Sequence, residues 1–134
     1  MRDLFHGFAS PVLAMAASNP TGTQTGTEID LFGYEGALIA ISVGVVTDGT
    51  HTFTLNESDT SGSGYTLVAA GNILGTLPAL VTGGSGGGSA THLVGYKGAK
   101  RYIKVIKTVT ATPSTGCRVT AAVLLDKGRH LPVA

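Results

Sequence analysis

Apolar residues follow one another along this chain in two rhythms. From Ala37 to Val46, ALIAISVGVV is almost continuously apolar and rich in β-branched side chains, the pattern of a strand covered on both faces. The rhythm then becomes strict alternation: in HTFTLNES, His51, Phe53, Leu55 and Glu57 share one side and threonines take the other. Between them Thr47–Gly49 (TDG) carries Asp-Gly turn chemistry, so the two runs are predicted to pair as a β-hairpin.

Further on, the acidic, glycine-rich loop ESDTSGSG leads to a short strand, YTLVA. AGNILGTLPAL reads as a short helical turn or an irregular edge, because Pro78 cannot donate within a central strand. Thr82 to Ala90 (TGGSGGGSA) has the composition of a flexible loop. THLV, KRYIKVIKTVTA and CRVTAAVLL read as strands, with Thr112 to Gly116 (TPSTG) turning between the last two. Strong helix signals are absent. The pattern predicts an all-β fold, an antiparallel sandwich or small barrel of about seven to eight strands, over residues 28–128. Residues 1–27 are expected to form an extended N-terminal arm, and 129–134 a C-terminal tail.

One frame occurs twice. Leu31–Ala37 reads LFGYEGA and Leu93–Ala99 reads LVGYKGA, each just ahead of a long strand. The glycines permit positive φ or a bulge and the tyrosine packs its ring, so the repeat is expected to mark two equivalent corners, by duplication or by convergence. Charge separates the copies, because Glu35 and Lys97 occupy the same place. Lys97, Lys100, Arg101, Lys104 and Lys107 cluster around the second copy, while Glu28, Asp30, Glu35, Asp48, Glu57 and Asp59 lie in the first half. If the two long strands are neighbours, these charges pair internally; if they lie on opposite sides, the molecule is polar and suited to head-to-tail association.

At 134 residues the chain is one domain able to bury a core. Its net charge of +1 points to neither nucleic acid nor an anionic membrane. No stretch approaches the roughly 20 apolar residues of a membrane-spanning helix. The opening MRDLFHGFASPVLAMAAS resembles a secretory leader only superficially, since Asp3 spoils the basic start and Pro11 interrupts the run. Only 13% of residues are charged, against about 25% in ordinary soluble domains. So sparsely ionised a surface suits burial against other subunits, with a neutral threonine-rich monomer as the alternative.

Candidate chemistry is weak. His6, His51, His92 and His130 lack ligand spacing. Asp48, Glu57 and Asp59 flank turns and could hold calcium, yet NESDTSGSG lacks EF-hand alternation and reads as a solvated acidic turn. The Gly-rich loop has no Lys-Ser or Lys-Thr after it, against a phosphate loop. The single cysteine, Cys117, excludes an internal disulfide, and it opens an alternating strand with Val119, Ala121, Val123 and Leu125, as an inert core thiol would. No nucleophile motif is present, so the chain reads as a non-enzyme without metal or cofactor.

IDLFGYEGALIAISVGVVTDGTHTFTLNESDTSGSGYTLVAAGNI, followed by HLVGYKGAKRYIKVIKTVTATPSTGCRVTAAVLLDKGRHLPV, resembles a family of small virion proteins encoded among the head genes of tailed bacteriophages. The resemblance rests on the MRDL start, the Asp before Gly-Tyr, DGTHTFTL-x-ES, GY-x-G-x-KRY and a closing Gly-x-x-x-Pro, from Met1 to Pro132. It implies a viral structural protein made in the host bacterial cytoplasm: a capsid decoration or cement protein outside the head, bridging capsomers. Its partners would be the major capsid protein and copies of itself in a homo-oligomer, with no nucleic acid and no membrane. A head-to-tail connector or tail protein, and a surface carbohydrate-binding sandwich, are the alternatives. The residues expected at interfaces are Leu4, Phe5, Phe8, Tyr34, Glu35, Tyr96, Lys97, Lys100, Arg101, Arg129 and His130.

Overall fold

A computed structural model describes residues 11–17, 21–34, 36–81 and 90–125, with the side chains of 79–81 left aside. The fold is all-β and open, two antiparallel sheets facing each other across one core, as a sandwich and not a closed barrel. Among the described residues eleven strands form, more than expected, because four of them are only two residues long. They are β1 Val12–Met15, β2 Gln24–Thr25, β3 Ile29–Asp30, β4 Ala37–Val43, β5 Thr50–Ser58 and β6 Thr66–Leu67. After a 3-10 turn at Ala70–Asn72 follow β7 Ile73–Leu74, β8 Ala79–Val81, β9 Ala90–Tyr96, β10 Tyr102–Thr110 and β11 Val119–Leu125. Among the described residues no helix is long and apolar enough to cross a membrane.

One sheet runs β1-β11-β4-β9-β7; the other runs β2-β10-β5-β6, with β3 also on β10 and β8 also on β5. The core is the inward row of each long strand. Ile39 and Ile41 of β4, Val94 of β9 and Val123 of β11 face Leu55 of β5 and Ile103 of β10, all fully buried. Each such side chain contributes about 1.5–3 kcal/mol on leaving water.

The expected hairpin between β4 and β5 does not form. The two strands lie in different sheets, and the Asp-Gly turn is a corner from one sheet to the other. The reason is partner length: β4 finds seven-residue antiparallel partners on both sides, β11 and β9, while β5 pairs with β10 over nine residues from Thr50↔Thr110 to Ser58↔Tyr102. At the corner the Asp48 carboxylate accepts from Ser114 N (2.8 Å), Ser114 Oγ (3.0 Å), Thr115 N (3.1 Å) and Gly116 N. These amides hold its pKa down to about 2. Its stabilisation is therefore present above the unfolded pKa near 3.8 and is lost as pH falls toward about 2. Asp48→Asn should flatten that part of the acid limb of a stability-against-pH curve, measured by urea unfolding at stepped pH; an unchanged limb would refute the latch.

Of the expected arm, residues 12–15 and 24–25 belong to the domain, the latter paired with β10. β1 pairs with β11, and Ala14 and Met15 are buried, because the apolar side chains there complete the edge of the core. The linker after β2 ties the sheets together at this edge: Gly26 N donates to Val105 O of β10 and Thr27 N to Ala14 O of β1, both at 2.7 Å.

Candidate interaction site

The two Gly-Tyr-x-Gly copies meet at one end of the sandwich, although they are not equivalent corners. The first lies in the β3–β4 connection. Leu31 N donates to Arg101 O (2.7 Å), Phe32 N to Asp30 Oδ1 (2.9 Å) and Tyr34 N to Leu31 O (3.0 Å), with Gly33 at a positive φ of 87°. That turn buries Leu31 and leaves Phe32 74% exposed at its tip. The second copy begins inside β9, where Gly95 lies beneath Leu74, 3.1 Å from where a Cβ would stand. Tyr96 there turns inward. The difference follows from strand position: the second copy's Gly-Tyr is paired with β4, Ala37 opposite Tyr96, whereas the first lies ahead of its strand.

Leu31–Tyr34 and Gly98–Arg101 form the walls of a cleft of about 210 Å³. Arg101 organises its rim. Its Nε and Nη2 each donate to an Asp30 carboxylate oxygen at 2.9 Å, and its guanidinium lies 4.8 Å from the Phe32 ring centroid and 5.0 Å from that of Tyr102. The guanidinium beside Asp30 holds that carboxyl below its ordinary range and raises Arg101 in return. The pair is half exposed, so its bidentate geometry orders the rim more than it stabilises the fold. The opposite wall is fixed by Lys97 N donating to Asn72 O (3.0 Å) and Lys100 N donating to Tyr96 Oη (3.2 Å).

Among the described residues, charges of the two halves close within the molecule here, although β4 and β10 lie in different sheets. Lys100 Nζ donates to Asp59, Arg101 to Asp30, and Lys104 lies over the Tyr65 ring at 3.8 Å. Glu28 accepts from Ser61 Oγ (2.6 Å), Gly62 N (2.7 Å) and Tyr65 Oη, which hold its carboxyl low and fasten the ESDTSGSG loop. Lys107 is fully buried, and burial drives its pKa down. The carboxylates weighed as a calcium set go separate ways: Asp48 to the 114–116 turn, Glu57 to Tyr96 and Asp59 to Lys100. Cys117 is buried, donates weakly toward Gly44 O and has its pKa raised by burial.

Of the residues expected at interfaces, Lys97, Lys100 and Arg101 are exposed and Tyr34 is half-buried against the core. Tyr96 is not available to a partner: it is 2% exposed and hydrogen-bonded to Glu57, because its strand position points the ring into the sandwich. Leu4, Phe5, Phe8, Glu35, Arg129 and His130 lie outside the described residues. Sequence reasoning missed Phe32, whose signal was its place between Asp30 and Gly33, where an Asx turn makes an apolar side chain project.

Fold and site together define an open antiparallel β-sandwich with an aromatic and an arginine displayed at one braced tip. No family model matches the chain, nor does any curated protein or solved structure.

Proposed function

We propose that this protein is a virion structural protein, a capsid decoration or cement protein that binds the outside of a phage head and bridges capsomers. One observation carries the reading beyond the resemblance in sequence: Phe32 stands 74% exposed on a turn whose geometry is set by Asp30, Arg101 and Gly33. Rigid aromatic and arginine side chains concentrate binding energy at protein interfaces, and pre-ordering them lowers the entropy lost on docking. A shell strained by its contents is reinforced by any ligand that binds only the assembled form, in proportion to affinity and without chemistry.

Purified heads test this. The protein should be present at a copy number comparable to the major capsid protein, and heads lacking it should break at lower temperature and rebind it on addition. Phe32→Ala should weaken rebinding roughly 30-fold, the effect of about 2 kcal/mol at an interface hot spot, while leaving the fold intact. A few copies per particle would favour the connector or tail alternative; no binding to heads would end the reading.

A further inference from the structure

None of β1, β4, β7, β9 and β11, the strands of the five-stranded sheet, contains an Asp, Glu, Lys or Arg. Their inward rows fill the core, so the outward rows decide what this sheet presents. Across its centre the register places Leu13, Ala122, Ala40 and Leu93 side by side on β1, β11, β4 and β9. The adjacent row is Leu124, Leu38, Gly95 and Leu74. Leu13, Leu93 and Leu74 are 57%, 60% and 54% exposed. The outer face of the six-stranded sheet differs, with Thr50, Thr52, Thr54 and Asn56 on β5 beside Lys104 and Thr108 on β10.

We propose that the outer face of the five-stranded sheet binds the same face of a second copy, about a two-fold axis beside Ala40. Three features select a second copy as occupant. Among the described residues the outward rows of these strands carry no ionisable group, His92 and Tyr96 of β9 belonging to the inward row, so an identical face meets them with no charge to desolvate or repel, and a net charge of +1 on each chain adds almost no repulsion. Its relief is self-complementary. Ala122 and Ala40 form a trough between the ridges of Leu13 and Leu93; an axis lying between Ala40 and Leu93 places each Leu93 in the trough of the other copy, as an isologous contact requires. Its size suits a weak, reversible contact: strands of four, seven, seven, seven and two residues, about 3.3 Å per residue and about 4.8 Å apart, give a footprint of roughly 430 Å², and two such faces bury at most roughly 850 Å², the range of transient encounters. This inference does not rest on the capsid reading.

Sedimentation of the full chain across a concentration range tests it without heads. A reversible dimer is expected. Leu93→Glu should weaken it at least 100-fold, whereas Leu67→Glu, on an exposed leucine of the other sheet, should leave it unchanged. Ala40→Cys should be joined to its counterpart by a bismaleimide with a spacer of about 8–10 Å, because facing sheets stand about 10 Å apart, too far for a direct disulfide; this reports the axis even where a glutamate variant folds poorly. A monomer at every concentration, or a dimer indifferent to Leu93→Glu and not cross-linked through position 40, overturns the proposal. A monomer that loses head binding on Leu93→Glu also overturns it and assigns the face to the shell. A dimer that fails to bind heads supports it while ending the capsid reading.

Discussion

Gly26→Ala is expected to cost the fold about 3 kcal/mol or more, lowering its melting temperature by on the order of 10 °C. Gly26 lies where the two sheets are tied together, its N–H bonded to Val105 O of β10 while Thr27 N–H bonds Ala14 O of β1. A Cβ there would stand 2.5 Å from Ala14 O and 2.6 Å from Val105 O. Both obstacles are backbone oxygens held in sheets, so neither can rotate away as a side chain would. To admit one methyl group, either β1 leaves β11 or the 24–27 segment leaves β10, and each exposes buried surface such as Met15 or Ile29. For a domain whose whole stability is about 5–15 kcal/mol, that is a large fraction. Thermal unfolding by circular dichroism checks it: melting within about 2 °C of the parent would show that the edge yields and that the tie is dispensable.

Periodicity made the strands legible because each long strand obeys a two-residue rhythm set by the core. His51, Phe53, Leu55 and Glu57 were placed on one face by alternation, and all four are buried. Cys117, Val119, Ala121, Val123 and Leu125 likewise share the inner side. Pairing was less legible. An Asp-Gly turn fixes a sharp reversal but not the sheet that receives the next strand, and β5 obtains more hydrogen bonds from β10, some fifty residues away, than β4 could offer. The two-residue strands escaped notice for a related reason: β3 exists because β10 is there to pair with it, not because Ile29–Asp30 has a strand pattern of its own.

Charge was legible in amount and not in arrangement. Clustering of basic residues after Tyr96 suggested a basic edge, yet strand pairing carries Asp30 and Asp59 to the same end of the molecule as Arg101 and Lys100. Exposed apolar side chains stand beside these pairs: Phe32 at the tip, and Leu13, Leu74 and Leu93 on the five-stranded sheet. Among the strands, Asp, Glu, Lys and Arg occur only in the six-stranded sheet, as Asp30, Glu57, Lys104 and Lys107, which leaves the outer face of the other sheet to apolar and hydroxyl side chains.

Tyr96→Phe should lower stability by about 1–3 kcal/mol, the cost of leaving a buried polar group without its partner, and should also loosen the cleft. Tyr96 Oη donates to Glu57 Oε2 and accepts from Lys100 N, and Glu57 is only 8% exposed. Burial, reinforced by the adjacent carboxylate, raises the phenol's pKa, so Tyr96 stays a donor across the working pH range. Without its hydroxyl the Glu57 carboxylate remains in the core interior with that donor removed, and the Lys100 amide loses its acceptor on the cleft wall facing Phe32. Removing both members, Tyr96→Phe with Glu57→Leu, should recover much of the loss, since replacing a buried pair by apolar groups can be nearly neutral. Urea unfolding of the two single variants and the double variant gives the coupling directly. Additive losses would mean that the two residues act independently, and the double variant would then be the least stable of the three. Coupled losses, with head binding weakened in Tyr96→Phe although Phe32 is intact, would show that the buried tyrosine sets the geometry of the exposed tip.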